Sequence, residues 1–306
     1  MLAVRILMVF VDGVGLGDPD PATNPLVRAA TPTLRRLLGR PLAERAPVHT
    51  ASAVLVPLDA QLGVPGLPQS GTGQAAILTG CNAPALVGRH VAAYPTRALK
   101  TLLEEQGLFI RLRRCGIATA LANAYTLEYF TAVAQRRLRH AAITLNALQA
   151  GVRLRDIGDV CAGRAVYHDL TNVRLREWGH AVPVISPEDA GRHLAGLAAR
   201  HPFTLFEFFQ TDLAGHRRLP DPVGVVERFD RFLGATLDAT DPGETMVVVT
   251  SDHGNLEDER TDGHTTNPVP ALLVGAGRER VGERLRDLTD VTPACVDLLG
   301  NGGDPP

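Results

Sequence analysis

Arg5-Ile6-Leu7-Met8-Val9-Phe10-Val11-Asp12-Gly13 is the stretch on which the fold turns. From Ile6 to Val11 no residue is polar, whereas a strand with one solvated face would alternate. A run apolar on both faces is a strand buried on both sides, the pattern of a mainly parallel sheet covered by helices. The run stops abruptly on an acid and a glycine. Similar runs recur at 52–56 (SAVLV), 117–122 (IATALA), 204–209 (TLFEFF), 245–250 (TMVVVT) and 271–274 (ALLV). Helical patterns fall between them, at 31–38, 73–80, 96–106, 187–200, 222–238 and 290–299. Ser186-Pro187-Glu188-Asp189 combines a capping serine, a proline at the first helical position and acids in the first turn; Asp221-Pro222 is a second start of this kind. Alternating strand and helix implies an α/β fold: a doubly wound, mainly parallel sheet with helices on both faces. We expect one domain over 1–306. The stretch 126–182 is less regular and rich in arginine. It reads either as a small insertion beside the sheet or as loops and surface helices of the same domain.

Composition removes several function classes. The chain has 306 residues, 45% of them hydrophobic and 21% charged, which suits a globular protein with a sizeable core. Its formal charge of −2 lacks the basic excess of a nucleic-acid binder. No apolar run approaches the ~18 residues of a membrane span. The apolar stretch from Met1 to Phe10 is short, meets Asp12 at once and has no small-residue cleavage site, so it reads as a strand and not as a secretory signal. Cys81, Cys115, Cys161 and Cys295 are widely spaced, with no C-x-x-C, and read as reduced, mostly buried thiols of a cytoplasmic protein.

In open α/β sheets ligands bind outside the carboxyl ends of the strands. Asp12-Gly13 follows the first run. Asp212-Leu213-Ala214-Gly215-His216 follows 204–209, Asp252-His253-Gly254-Asn255 follows 245–250, and Asp262-Gly263-His264-Thr265 precedes 271–274. Each motif alone has a bland reading, a helix cap or a satisfied turn histidine. Together they bring Asp12, Asp212, Asp252, His216, His253 and His264 to one edge, a donor set suited to divalent cations. If Asp212 opens a helical turn, His216 lies on the same face four residues on. No cysteine stands in these segments, which argues against a structural thiolate zinc site. Six ligands exceed the need of one open catalytic ion; two ions ~3.5–4 Å apart would clamp both oxygens of an in-line phosphoryl displacement. A nucleophile is available in Gln69-Ser70-Gly71-Thr72-Gly73, a small-residue turn before the apolar helical run from Ala75 to Leu78. Ser70 would stand near that helix's N-terminus, where amides and dipole favour an anion, with Thr72 the lesser candidate. The plainer reading of the turn is a loop in which Ser70 or Thr72 caps the helix.

These motifs, in this order, resemble the alkaline phosphatase superfamily, and most closely its metalloenzyme branch, which holds cofactor-independent phosphoglycerate mutase and phosphopentomutase. The tail, Thr289-Asp290-Val291-Thr292-Pro293-Ala294 before Leu298-Leu299-Gly300, is similar to that superfamily's closing helix. The resemblance implies one metal site of Asp212, His216 and His264. It implies a second of Asp12, Asp252 and His253, faced by Ser70 as the residue that becomes phosphorylated. The ions it implies are Mn or Zn, or Mg, and the substrate a small-molecule phosphate ester.

Two departures shape the expectation. The mutases carry a large cap between the nucleophile helix and the D-x-x-x-H segment, whereas here 81–211 also supplies a core strand and helices, leaving little for a cap. Their nucleophile turn typically ends in Gly-His, where this chain has Gly73-Gln74. A mutase must retain its dephosphorylated intermediate under a lid, so the expected chemistry is hydrolysis, with phosphomutase as the alternative and non-catalytic metal binding a third reading. Sulfatase chemistry needs C-x-(P/S)-x-R, and Cys81-Asn82-Ala83-Pro84-Ala85 lacks the arginine. Asn24, Thr72, Arg89, His90, Asn123 and His168 are the candidate substrate contacts, although structural or surface roles explain each equally well. Nothing in the sequence fixes an oligomeric state.

Overall fold

The computed structural model describes residues 4–300. Its frame is one seven-stranded sheet: β1 Arg5–Val11, β2 Val48–His49, β3 Ala53–Leu58, β4 Thr119–Leu121, β5 Phe203–Phe208, β6 Thr245–Thr250 and β7 Val269–Gly275, in the spatial order β2-β3-β7-β6-β1-β5-β4. β4, β5, β1 and β6 are mutually parallel. β7 runs antiparallel between β6 and β3, and β2 antiparallel on the outer side of β3.

The absence of alternation in β1 has the expected cause. Ile6, Met8 and Phe10 join the core on one face, and Leu7, Val9 and Val11 the core on the other. Helices Ser70–Thr79, Arg97–Gln106 and Val291–Gly300 cover the first face. Pro32–Leu38, Pro187–Ala198 and Pro222–Asp238 cover the second. Ser186 caps Pro187–Ala198 in a reciprocal capping box with Asp189, and Asp221 caps Pro222–Asp238 through the Gly224 amide.

The direction of β7 matters for everything that follows. Because it opposes β6, it begins at the edge where the parallel strands end, so the loop leading into it lies beside the residues that follow β1, β5 and β6. β3 opposes β7 in turn and therefore points the same way as β6, delivering the chain toward that edge ahead of Ser70–Thr79.

The irregular stretch keeps both of its readings, and the cysteines need a correction. Residues 126–182 contain the helices Leu127–Ala134, Ala142–Gln149, Ile157–Cys161 and Val173–Glu177. None exceeds 8 residues, too short to give a sustained 3.6-residue period. Part of this stretch packs around a small separate cluster of Ala124, Val160, Ala165, Tyr167, Leu175 and Val182. The cysteines are not mostly buried. Only Cys295 is; Cys115 and Cys161 are exposed at helix ends, and all four are unpaired.

Pro32–Leu38 depends on a cap from far along the chain. Thr31 makes no side-chain cap, and the buried Asp230 carboxylate instead accepts the amides of Thr33 and Leu34, both at 2.9 Å. Asp230→Ala strands two buried donors and is expected to cost about 1–3 kcal/mol, measured as a lower urea midpoint with unchanged slope.

Candidate functional site

Asp12, Asp212 and Asp252 follow the parallel strands β1, β5 and β6 and converge at one sheet edge. Asp12 follows β1, its amide donating to Phe208 O at 2.9 Å and its carbonyl accepting Thr211 Oγ1 at 2.6 Å. Asp212 stands in the first turn of the helix Gln210–Gly215, and His216 caps that helix, so the i, i+4 spacing does bring them together. Gly13, next to Asp12, lets that loop lie against Asp212: its φ is +70°, and a side-chain carbon there would meet the Asp212 carboxylate at 2.9 Å. Asp252 and His253 follow β6 and are fully buried. Ser70 is the first residue of the helix Ser70–Thr79, and Gly73 lets that helix pass against the Asp252 backbone.

Two compact donor groups result. Asp12, Asp252 and His253 each offer a ligand atom within 4.8 Å of the others. His253 Nε2 lies 3.3 Å from Asp12 Oδ1, 3.6 Å from Asp252 Oδ2 and 2.9 Å from Ser70 Oγ. In the second group His216 Nε2 is 3.1 Å from His264 Nε2 and 3.4 Å from Asp212 Oδ1, with His264 Nε2 3.8 Å from the same oxygen. Donors held ~2.1 Å from a tetrahedral ion lie ~3.4 Å apart, so both groups have the spacing a cation needs. His253 can also face Asp212 and His264, placing it between the two groups.

The surroundings orient these groups. His216 Nδ1 lies 2.7 Å from Asp262 O, His264 Nδ1 2.7 Å from Pro68 O and His253 Nδ1 3.3 Å from Gly254 O. With each Nδ1 proton donated to a carbonyl, every Nε2 turns into the site, where the neutral ring would present its lone pair to a cation. His216 and His264 then face each other nitrogen to nitrogen with no proton to share. Both Asp252 oxygens and Asp12 Oδ1 are buried without a hydrogen-bond partner. Such a set is costly unless a cation compensates it, and the donors present fit a divalent ion. Burial, reinforced by the Asp12 charge, pushes the Asp252 carboxyl well above the usual range and raises Asp212. Burial alone would lower His253, but Asp252, Asp12 and Asp212 outweigh it and hold the imidazole up to about 10. Burial and the His253 charge push His264 down to about 4.

Two acids that the sequence reading passed over complete the site. Glu257 is buried and knits three loops: it accepts the amides of Gly15 at 2.9 Å and Asn255 at 2.8 Å, Asn267 Nδ2 at 3.0 Å and the Thr265 hydroxyl. Asn255 in turn donates to Asp212 Oδ1 at 2.9 Å. Glu207 stands in β5 and lines the cleft, its carboxyl pushed up to about 8 by burial and then by the Asp12 charge. An acid inside the otherwise apolar run FTLFEF was its signal.

Of the candidate substrate contacts, the structure brings two to the cleft. His168 lines it between Tyr167 and Phe209, and burial holds its ring down to about 4. Asn123 also lines it, but its amide is spent bridging β4 to β5, donating to Glu207 O and accepting Glu207 N, both at 2.8 Å. The other four do not line it. Asn24 is buried and caps the short helix Pro25–Arg28 through the Leu26 amide. Thr72 is buried, its hydroxyl donating to Gln69 O and accepting Val91 N. Arg89 is exposed and does not line the cleft, and His90 meets Val64 O at 3.1 Å.

Comparison with known proteins bears on this arrangement. A family model described as the Metalloenzyme superfamily matches residues 189–301. The chain is similar to the 2,3-bisphosphoglycerate-independent phosphoglycerate mutase of Paracoccus denitrificans, 35% identical over 130 residues, which is 39% of this chain and 25% of that protein. It is also similar to that of Cereibacter sphaeroides, 36% identical over 128 residues, 38% and 25% of the two chains. The match thus spans about a quarter of the length of these relatives. Among solved structures, a protein from Pyrococcus horikoshii superposes with TM-score 0.60 at 17% identity, covering 100% of this chain and 99% of that one. The alkaline phosphatase from the Antarctic bacterium TAB5 superposes with TM-score 0.55 at 14% identity, covering 98% and 99%. The fold is that of the alkaline phosphatases, and the resemblance to the metalloenzyme branch read from the motifs holds over the C-terminal third of the chain.

Glu257→Gln would turn an amide N–H toward donors and is expected to cost about 1–3 kcal/mol in urea unfolding of metal-stripped protein. Glu207 titrates higher folded than unfolded, so the metal-free fold binds the extra proton and loses stability as pH rises from ~4.5 to about 8. Glu207→Gln is expected to flatten that decline, read from urea midpoints across the same window.

Proposed function

We propose that this protein is a metal-dependent phosphoryl-transfer enzyme that hydrolyses a small-molecule phosphate ester through a phosphoserine at Ser70. The observation that carries this reading is Ser70 Oγ standing 2.9 Å from His253 Nε2, beside the buried and unpartnered carboxylate oxygens of Asp252 and Asp12. Asp12, Asp252 and His253 would hold one divalent ion and Asp212, His216 and His264 a second, Mn or Zn by donor chemistry, with Mg also compatible. Bound there, the ions would act as Lewis acids, offsetting the phosphoryl charge and lowering the pKa of the serine hydroxyl.

The chain's own groups account for the rest. Ser70 Oγ is presented at the start of Ser70–Thr79, where the helix dipole favours the incoming anion. The Oγ–P bond forms as the ester P–O bond breaks, and the departing oxygen takes up a proton. Water then cleaves Oγ–P, releasing inorganic phosphate and restoring the serine. Glu257 and Asn255 keep the Asp12, Asp212 and Asp252 loops in register throughout.

Phosphomutase chemistry is the second reading, favoured by the mutases the chain is similar to over 128–130 residues. Against it, the segment above the cleft is built from helices of 8 residues or fewer, and the rim residues Leu127 and Trp178 are 76% and 55% exposed. An intermediate released there meets water, which favours hydrolysis.

Ser70→Ala is expected to lower phosphate release from an aryl phosphate monoester or diester by ~10³-fold or more while metal content stays the same. Chelation should abolish release in the unsubstituted protein, and Mn or Zn should restore it. Full turnover by the alanine variant would refute the nucleophile. Isomerisation of a phosphosugar or phosphoglycerate without free phosphate would establish the mutase. Tight metal binding with silence on every ester would leave a binding protein.

A further inference from the structure

Aromatic side chains are scarce in this chain, 5% of residues, with four tyrosines and one tryptophan. All five line one cleft. Tyr94, Tyr125, Tyr129, Tyr167 and Trp178, joined by Phe209, wall a cavity of about 870 Å³ whose floor carries Asp12, Ser70 and Asp212. That volume suits a ligand far larger than a bare phosphate or a three-carbon ester. The walls are fixed in place. Tyr125 Oη shares a hydrogen bond with Thr144 Oγ1 at 2.8 Å, and Tyr129 Oη with His140 Nδ1 at 2.7 Å. The Tyr125 and Tyr129 rings pack 5.0 Å apart, and Tyr167, His168 and Phe209 form a second tier with centroids at 4.2 and 4.5 Å.

Two further observations point to the occupant. The helix Leu127–Ala134 reads LEYFTAVA, yet it buries none of its residues. An apolar helix normally turns such a face into a core; here Leu127, Tyr129 and Ala132 face the cleft instead. The charged groups of the cleft stand mostly at its rim, where Glu128, Arg137 and Arg139 are all exposed. Beyond the metal-ligand aspartates the lining acids are Glu128 and Glu207, while the lining cations are Arg137 and Arg139, both exposed on the segment after that helix. A second anionic group lying deep in the cleft would meet no buried cation among the lining residues.

We infer that the cleft selects phosphate esters whose organic part is an uncharged aromatic or heteroaromatic ring system, held between the two aromatic tiers while the phosphoryl group reaches Ser70. This rests on the proposed function and names the substrate class of the same site. It disfavours the small, doubly anionic esters on which a phosphoglycerate enzyme would act.

Trp178 makes the test direct, because the single tryptophan stands at the cleft rim and reports binding without turnover. Metal-loaded protein is titrated with benzylphosphonate, methylphosphonate and 3-phosphonopropionate, following Trp178 emission and, in parallel, calorimetric heat. The inference expects benzylphosphonate to bind about tenfold or more tighter than either competitor, as one or two ring contacts allow, with inorganic phosphate displacing it. Tyr129→Leu, which keeps an apolar side chain but removes the ring, should erase most of that preference and leave methylphosphonate affinity unchanged. Equal affinities, a preference for 3-phosphonopropionate, or binding that phosphate does not displace would each overturn it. Since these ligands are not turned over, a failed ring preference remains distinct from a failed hydrolase, which the Ser70→Ala turnover assay reports separately.

Discussion

The structure is organised around a charge problem. Asp12, Asp212 and Asp252 converge with three imidazoles at one sheet edge, and both Asp252 oxygens and Asp12 Oδ1 there lack a hydrogen-bond partner. Burying such groups without compensation costs several kcal/mol each. In the metal-free fold the cost is reduced by protonation: Asp252 and Asp212 titrate high, and His253 is held as a cation among them. A pair of divalent ions would remove the problem more completely, and the neighbouring residues are disposed for that state. The three Nδ1 atoms are tied to carbonyls, Glu257 fastens the loops, and Gly13 and Gly73 allow backbone approaches that a side chain would block.

Sheet topology is what makes the convergence possible. Parallel strands deliver Asp12, Asp212 and Asp252 to one edge because they all end there. The histidine from the opposite chain direction arrives only because β7 is reversed, so that its leading loop, not its trailing one, meets the same edge. The aromatic cleft then lies over the β4–β5 side, where Asn123 and Glu207 mark the ends of the strands. On the proposed reading, phosphoryl chemistry and ring recognition would fall to different parts of one cavity, the first built on strand ends and the second on short helices.

What was legible in the sequence follows the same division. Ile6–Val11 could be read as doubly buried because each face of the sheet has its own core, and the acids and histidines at the run ends could be read because a strand end is a fixed address. Glu257 was harder, since a carboxylate that ties loops by accepting backbone amides has no periodic signature. Glu207 was visible as an acid in an apolar run but was absorbed into the strand. Asn24 and Thr72 looked available because small polar residues near a site serve equally as helix caps, and only packing distinguishes the two uses. Residues 126–182 resisted reading because helices of 5 to 8 residues show too few turns for amphipathic periodicity.

The central claim is that the carboxylate and imidazole groups form two cation sites side by side. Anomalous diffraction from crystals grown with Mn or Zn tests it most directly. The account predicts two peaks, one bounded by Asp12, Asp252 and His253 beside Ser70 Oγ, the other by Asp212, His216 and His264. A single peak, or an ion bound elsewhere with these groups left hydrogen-bonded to one another, would contradict it.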